Sequence, residues 1–149
     1  MLRDRPSARE LHPDRNDDLF GNTLVCDPLF FERTAREAGH RCIAGLDEAG
    51  RGPLAGPVVA AAVVLPAGLL IPGVTDSKQV PERERDRLFD VVREQATCYG
   101  IGIADERTID EVNIYQATII AMERALEELS VQPDYLRPGH RLFPLRHLQ

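Results

Sequence analysis

The sequence predicts an α/β domain built on one mixed sheet flanked by helices. Three observations lead there. Short apolar runs rich in Val, Ile and Ala, at Arg41 to Leu46, Val58 to Leu65 and Cys98 to Ala104, read as strands. Between and around them lie segments with a helical spacing of apolar residues, giving the order α, β, β, α, β, α. The link from Gly45 to Pro57 is too short for a parallel crossover, so the first two strands pair antiparallel and the sheet as a whole is mixed.

Taken in order, residues 1–25 are rich in Arg, Asp and Pro and read as a flexible lead-in. Asp27 to Gly39 predicts a short amphipathic helix, with Phe30 or Phe31, Thr34 and Ala38 on one side and Gly39 as its stop. Arg41 to Leu46 forms a strand ending at Asp47. Val58 to Leu65 forms a second, expected to be covered on both faces because it is continuously apolar. Pro81 suits the first position of a helix reaching Ala96, whose stripe is Leu88, Val91, Val92 and Ala96. After the strand Cys98 to Ala104, Thr108 and Glu111 form a capping box, which opens a helix from Ile109 to Leu129. Its expected stripe is Val112, Gln116, Ile119, Ile120, Glu123, Leu126 and Leu129.

The chain has 149 residues, enough to bury a core without disulfide or metal staples. Hydrophobic residues at 43% and charged ones at 28% match a soluble globular protein and exclude a fibrous or wholly disordered one. Cys26, Cys42 and Cys98 are odd in number and widely spaced, which argues against a disulfide framework or a zinc site and for a reducing, cytoplasmic setting. The first eighteen residues carry no apolar core segment, so neither a signal peptide nor a membrane anchor is expected. A net charge of −6 disfavours broad binding of nucleic acid by counterion release, but a local basic groove is compatible with it.

The most informative stretch is Gly45-Leu-Asp-Glu-Ala-Gly-Arg-Gly-Pro-Leu-Ala55. Asp47 and Glu48 are hard oxygen ligands of the kind Mg²⁺ and Mn²⁺ prefer. Gly50 and Gly52 remove the Cβ atoms that would keep the backbone from a ligand. Arg51 places a cation where a phosphate would lie. Two other phosphate motifs fail. Arg51-Gly52 replaces the Lys and Ser/Thr that a P-loop needs. The run Gly50 to Gly56 is one residue too long for the dinucleotide fingerprint and leads into a strand.

This stretch, followed by Asp76-Ser77-Lys78, then Ile109-Asp110-Glu111-Val112-Asn113-Ile114, then Ala117-Thr118 and Ala121-Met122, resembles bacterial ribonuclease HII, the type 2 ribonuclease H. The resemblance runs from about Cys42 to Tyr135. It implies a ribonuclease H-like fold and an endoribonuclease that cleaves RNA in RNA–DNA hybrids and single ribonucleotides embedded in DNA. It further implies two divalent ions, Mn²⁺ or Mg²⁺, held by four carboxylates. Carried over, Asp47 and Glu48 are the first two metal ligands and the catalytic pair. Gly50, Arg51 and Gly52 form the loop that senses the ribose 2′-hydroxyl, the group that distinguishes RNA from DNA. Lys78, helped by Ser77, is directed to the phosphate backbone. Asp110, Glu111 and Asn113 read as capping and dipole residues, and Ala121 and Met122 as packing. None of the four histidines is placed in the site.

The resemblance also implies a third aspartate shortly after Pro133-Asp134-Tyr135, where counting without a gap finds Gly139. Asp134 itself matches a polar turn. Residues 26–136 are therefore expected to be the N-terminal part of a type 2 ribonuclease H domain, with the C-terminal part missing, and 137–149 an aberrant tail. The sequence leaves two readings: an endoribonuclease, impaired by truncation and monomeric when complete, or a non-catalytic nucleic-acid-binding remnant.

Overall fold

The structure, a computed structural model, describes residues 27–52, 55–74 and 80–138. Among them the elements run α1 (Phe30–Glu37), β1 (Ile43–Ala49), β2 (Val58–Val64), α2 (Glu82–Gln95), β3 (Cys98–Ala104), α3 (Glu106–Val112), α4 (Ile114–Glu127) and β4 (Tyr135–Pro138). The strands form one sheet in the order β3-β2-β1-β4. β1 and β3 each run antiparallel to β2, while β4 joins β1 in parallel. The mixed sheet and the antiparallel first pair are as the sequence predicts.

Register decides which side chains share a face, because successive strand residues point to opposite sides. Ala44, Leu46 and Glu48 stand opposite Val64, Ala62 and Ala60, and this face continues on β3 as Cys98, Gly100 and Gly102. It is covered by α4, whose buried Ala117, Ala121, Met122 and Ala125 join one core with Leu46, Val58, Ala60, Ala62 and Ala104. The close fit depends on small residues on both sides. A Cβ added at Gly102 would overlap the Ala121 carbonyl and come 2.6 Å from the Ala125 nitrogen, and one at Gly100 would lie 2.8 Å from Glu128 Cβ. The Ala117-Ala121-Ala125 ridge thus packs against bare backbone, and the core is assembled by close approach more than by bulk.

The other face carries Ala61, Val63, Tyr99 and Ile101. Here β2 departs from expectation: its burial alternates, with Val59 and Val63 half-buried and Ala61 exposed, so only the α4 face is fully covered. A groove of about 270 Å³, lined by Ala61, Val63, Leu88, Phe89, Val92 and Tyr99 among others, separates this face from α2. α2 instead buries Leu88 in a small satellite core with Ile71 and Val80.

Helix boundaries supply the remaining corrections. Pro81 is the N-cap of α2 rather than its first residue. In α1 the buried residue is Ala35, while Phe30 and Phe31 remain 44% and 42% exposed. The expected side of Phe30 or Phe31, Thr34 and Ala38 is therefore not the packed one. Phe31 lies beneath the Arg137 guanidinium, 4.9 Å from its ring centroid. The long helix expected from Ile109 to Leu129 is two helices. Asn113 has φ 75°, ψ 162°, which no helix can continue, and its Oδ1 accepts from the Tyr115 and Gln116 nitrogens at 3.0 and 3.1 Å to start α4. α3 begins earlier, capped by Asp105, whose Oδ1 accepts from the Thr108 nitrogen at 2.8 Å. Thr108 is a capped residue, not the cap. The stripe shifts accordingly: Gln116 is exposed and the buried residues are Ala117, Thr118, Ala121, Met122 and Ala125. Arg137 and Pro138, expected in the tail, pair with Gly45 and Leu46 as the end of β4.

Candidate active site at the end of the first strand

Asp47 and Glu48 lie inside β1, not after it, and the ladder to β2 remains regular through both: Asp47 opposite Ala61, Glu48 opposite Ala60. Strand alternation therefore sends their side chains to opposite faces. Asp47 is exposed on the side facing the groove, and Glu48 turns toward the α4 side, its side chain only 3% exposed.

A carboxylate this buried needs partners. Glu48 Oε1 has one: it accepts from Arg51 Nη1 at 3.0 Å. Glu48 Oε2 is buried and accepts no hydrogen bond from the described residues. An orphaned buried oxygen on a hard, anionic donor is what a divalent cation or an ordered water would satisfy, so the residues fit the ion that the resemblance implies. Among the described residues no group of three or more His, Cys, Asp or Glu converges to hold a metal.

The glycines of the following loop differ in kind. Gly50 has φ +93°, and a Cβ there would overlap the Pro57 carbonyl oxygen and lie 3.3 Å from Val58 Cα. The fold itself requires glycine at this position. At Gly52 an added Cβ meets nothing within 4 Å among the described residues, and its φ is not left-handed. Nothing among the described residues requires a glycine there; close approach of a ligand would. Asp76, Ser77 and Lys78 lie outside the described residues, as does Gly139.

The other candidates sort cleanly. Asp134 sits at the far end of β1 from Asp47: its carboxylate accepts from the Arg41 nitrogen at 2.9 Å and the Cys42 nitrogen at 3.0 Å, tying the start of β4 to the start of β1. The Arg41 amide, then that of Cys42 and the charge of nearby His40, hold the Asp134 carboxyl below the usual carboxylate range. Its placement agrees with a turn residue. Asp110 and Glu111 are exposed on α3, Glu111 pairing with Arg107 at 3.1 Å. Cys42 and Cys98 are free thiols, and burial, followed by the charge of Asp134, pushes that of Cys42 up. The Glu48–Arg51 pair is what sequence reasoning missed. Opposite charges three apart on either side of Gly50 were the available signal.

Residues 44–138 match the family model for ribonuclease HII. The chain belongs to the ribonuclease HII family. It is 56% identical over 110 residues to ribonuclease HII of Citrifermentans bemidjiense, covering 74% of this chain and 48% of that one. With ribonuclease HII of Bacillus pumilus the identity is 46% over 145 residues, covering 95% and 57%. The chain spans about half the length of the curated relatives it matches. Among solved structures, ribonuclease H2 of Pyrococcus horikoshii superposes with a TM-score of 0.59 at 29% identity, covering 66% of this chain and 49% of that one. Bst-RNase HIII, solved in complex with Mn²⁺, gives 0.56 at 19% identity over 73% and 40%, a likeness of fold. The ribonuclease HII match begins at Ala44 and ends at Pro138, so it takes in all of the sheet but Ile43, the first residue of β1.

Proposed function

We propose that this ribonuclease HII chain is an endoribonuclease that hydrolyses the RNA strand of RNA–DNA hybrids and ribonucleotides embedded in duplex DNA, with Asp47 and Glu48 as the divalent-ion ligands it contributes. The observation that carries this reading is the orphaned, buried Glu48 Oε2, one residue from an exposed carboxylate and two from the start of a glycine loop. Asp47 presents its carboxylate on the open face at the end of the central strand. Gly52 leaves the backbone bare where a ribose 2′-hydroxyl would be read through main-chain groups. Arg51 brings positive charge to the loop, and Ser77 and Lys78 are assigned to the phosphate backbone. Bound Mn²⁺ or Mg²⁺ would supply an activated water and stabilise the leaving oxygen. The Mn²⁺ complex of Bst-RNase HIII is in keeping with that choice of ion. No helix among the described residues is long and apolar enough to cross a membrane; with the free Cys42 and Cys98, the cytoplasm is the setting proposed, and a monomer is proposed for the full-length form.

The test is cleavage of a labelled RNA–DNA hybrid, a duplex with one embedded ribonucleotide and an all-DNA duplex, with and without Mn²⁺ or Mg²⁺. Metal-dependent products from the first two alone, lost in Asp47→Asn, are expected. Undiminished cleavage by Asp47→Asn would remove Asp47 from the mechanism. A second reading, hybrid binding without cleavage, is favoured by the lack of a third converging ligand among the described residues. Metal-insensitive binding of the hybrid with no products would establish it instead.

A further inference from the structure

We propose that Arg51 is a positioning residue for the metal site: it anchors one oxygen of Glu48 so that the other is held open for a divalent ion, and thereby couples ion binding to the Gly50-Arg51-Gly52 loop. The proposal rests on the reading of Asp47 and Glu48 as ligands given above, but the role assigned to Arg51 is distinct from contact with substrate phosphate. Three observations carry it. The Glu48 side chain is 3% exposed, and among the described residues its one hydrogen-bond partner is Arg51 Nη1, at 3.0 Å on Oε1. Oε2 of the same carboxylate is buried without a hydrogen-bond partner among the described residues. The Arg51 side chain is 33% exposed, so its guanidinium sits at the boundary between the buried carboxylate and solvent.

A carboxylate with both oxygens free can swing between rotamers, whereas one pinned through Oε1 presents Oε2 in a fixed direction. Partners that orient a ligating carboxylate in this way typically alter metal affinity by about 10- to 100-fold when removed. Gly50 makes the coupling mechanical. Its backbone is wedged against Pro57, so the loop has a fixed root, and the Arg51–Glu48 contact is its second point of attachment, two residues beyond the end of β1. An ion on Oε2 and the guanidinium on Oε1 repel one another across the shared carboxylate, so the favourable coupling comes from orientation alone; by linkage, whatever Arg51 contributes to ion affinity the ion returns to the order of Arg51.

Mn²⁺ binding is measured without nucleic acid, by electron paramagnetic resonance of the free ion, on the 149-residue chain and on Asp47→Asn, Arg51→Ala, Arg51→Lys, Glu48→Gln and the Glu48→Gln/Arg51→Ala double variant. Arg51→Ala should weaken Mn²⁺ binding by about tenfold or more. Arg51→Lys, which keeps a cation able to reach Oε1, should restore most of the loss. In the Glu48→Gln background, Arg51→Ala should change little further, since the group it positions is gone; this double variant also removes the unpaired buried charge that could unfold Arg51→Ala. A residue that served only to contact phosphate would leave Mn²⁺ affinity unchanged. Equal affinity in Arg51→Ala and the unsubstituted chain, or additive losses in the double variant, would overturn the proposal while leaving an Asp47-dependent site intact. No Mn²⁺ binding that depends on Asp47 would overturn the metal-site reading and this proposal with it.

Discussion

Two glycines on either side of Arg51 should respond oppositely to the same substitution. Gly50→Ala puts a side chain on a backbone at φ +93°, a region L residues rarely adopt, and drives its Cβ into the Pro57 carbonyl oxygen. The conformational part alone costs about 1–3 kcal/mol. The overlap is with backbone at the mouth of the β1–β2 hairpin, where relief means parting the Ala49–Val59 end of the ladder. A total of about 3 kcal/mol is a large fraction of a typical stability of about 5–15 kcal/mol. With a urea dependence of about 2 kcal/mol per molar, the unfolding midpoint should fall by about 1.5 M. Gly52→Ala meets no described neighbour and should stay within about 0.5 kcal/mol of the unsubstituted chain. Its effect belongs to binding instead: affinity for a ribose-containing strand should drop more than affinity for duplex DNA. Urea titrations followed by circular dichroism, with fluorescence anisotropy on both duplexes, give the comparison. Equal midpoints for the two variants would refute the assignment of Gly50 to the fold, and equal loss on both duplexes would refute the assignment of Gly52 to ribose recognition.

Other consequences follow from the caps, the turn and the resemblance. Asn113→Ala should destabilise the chain by about 1–2 kcal/mol, losing the cap of α4 at a positive φ, whereas Asn113→Gly should cost only a few tenths; urea midpoints separate them. The Asp134 carboxyl is held low in the folded state chiefly by the Arg41 amide, so its contribution is fully present above the unfolded value of about 3.9 and is lost as pH falls through the lower folded value. Asp134→Asn should therefore flatten the acid limb of a midpoint-against-pH curve, and an unchanged limb would remove Asp134 from it. The resemblance to ribonuclease HII puts Gly139 where a third aspartate is expected. Gly139→Asp should tighten Mn²⁺ binding by about tenfold, or about 1.4 kcal/mol; an unaltered dissociation constant would show that the added carboxylate does not reach the ion.

Much of the fold was legible because local pattern and tertiary context agreed. Cys98 to Ala104 emerges as a strand with the predicted bounds because its bulky residues alternate with small ones. The antiparallel β1–β2 pair followed from link length alone. The helical region from Glu106 onward was misread where side-chain chemistry overrode periodicity: the apolar spacing runs on through Asn113, but one positive φ with a capping side chain splits the helix. The buried stripe of α4 was seen only in part: Ala121 and Met122 were read as packing, but the rest of the alanine ridge was not. Sequence reading sought large residues for the core, and the helix buries its alanines because Gly100 and Gly102 bring it down onto the sheet. At the site, the pair Asp47-Glu48 was conspicuous, but adjacency in a strand means divergence in space, and that shows only once β1 is known to continue to Ala49.

This divergence gives the two carboxylates unequal roles. Glu48 faces the packed side, where an unpaired charge would be costly, and the chain neutralises it locally with Arg51 from the next loop. Asp47 faces the open side and is exposed to solvent. The inner carboxylate is thus tied to the architecture and offers one oxygen, while the outer one is free to reorient toward an incoming ion. An ion shared by both, as proposed above, would lie near the end of β1, where Arg51 reaches Glu48. The same end of the strand carries the loop whose Gly52 is open to close approach. Metal ligation and ribose recognition would then meet at one strand terminus because β1 ends there, and the placement of Gly50 against Pro57 fixes the distance between them.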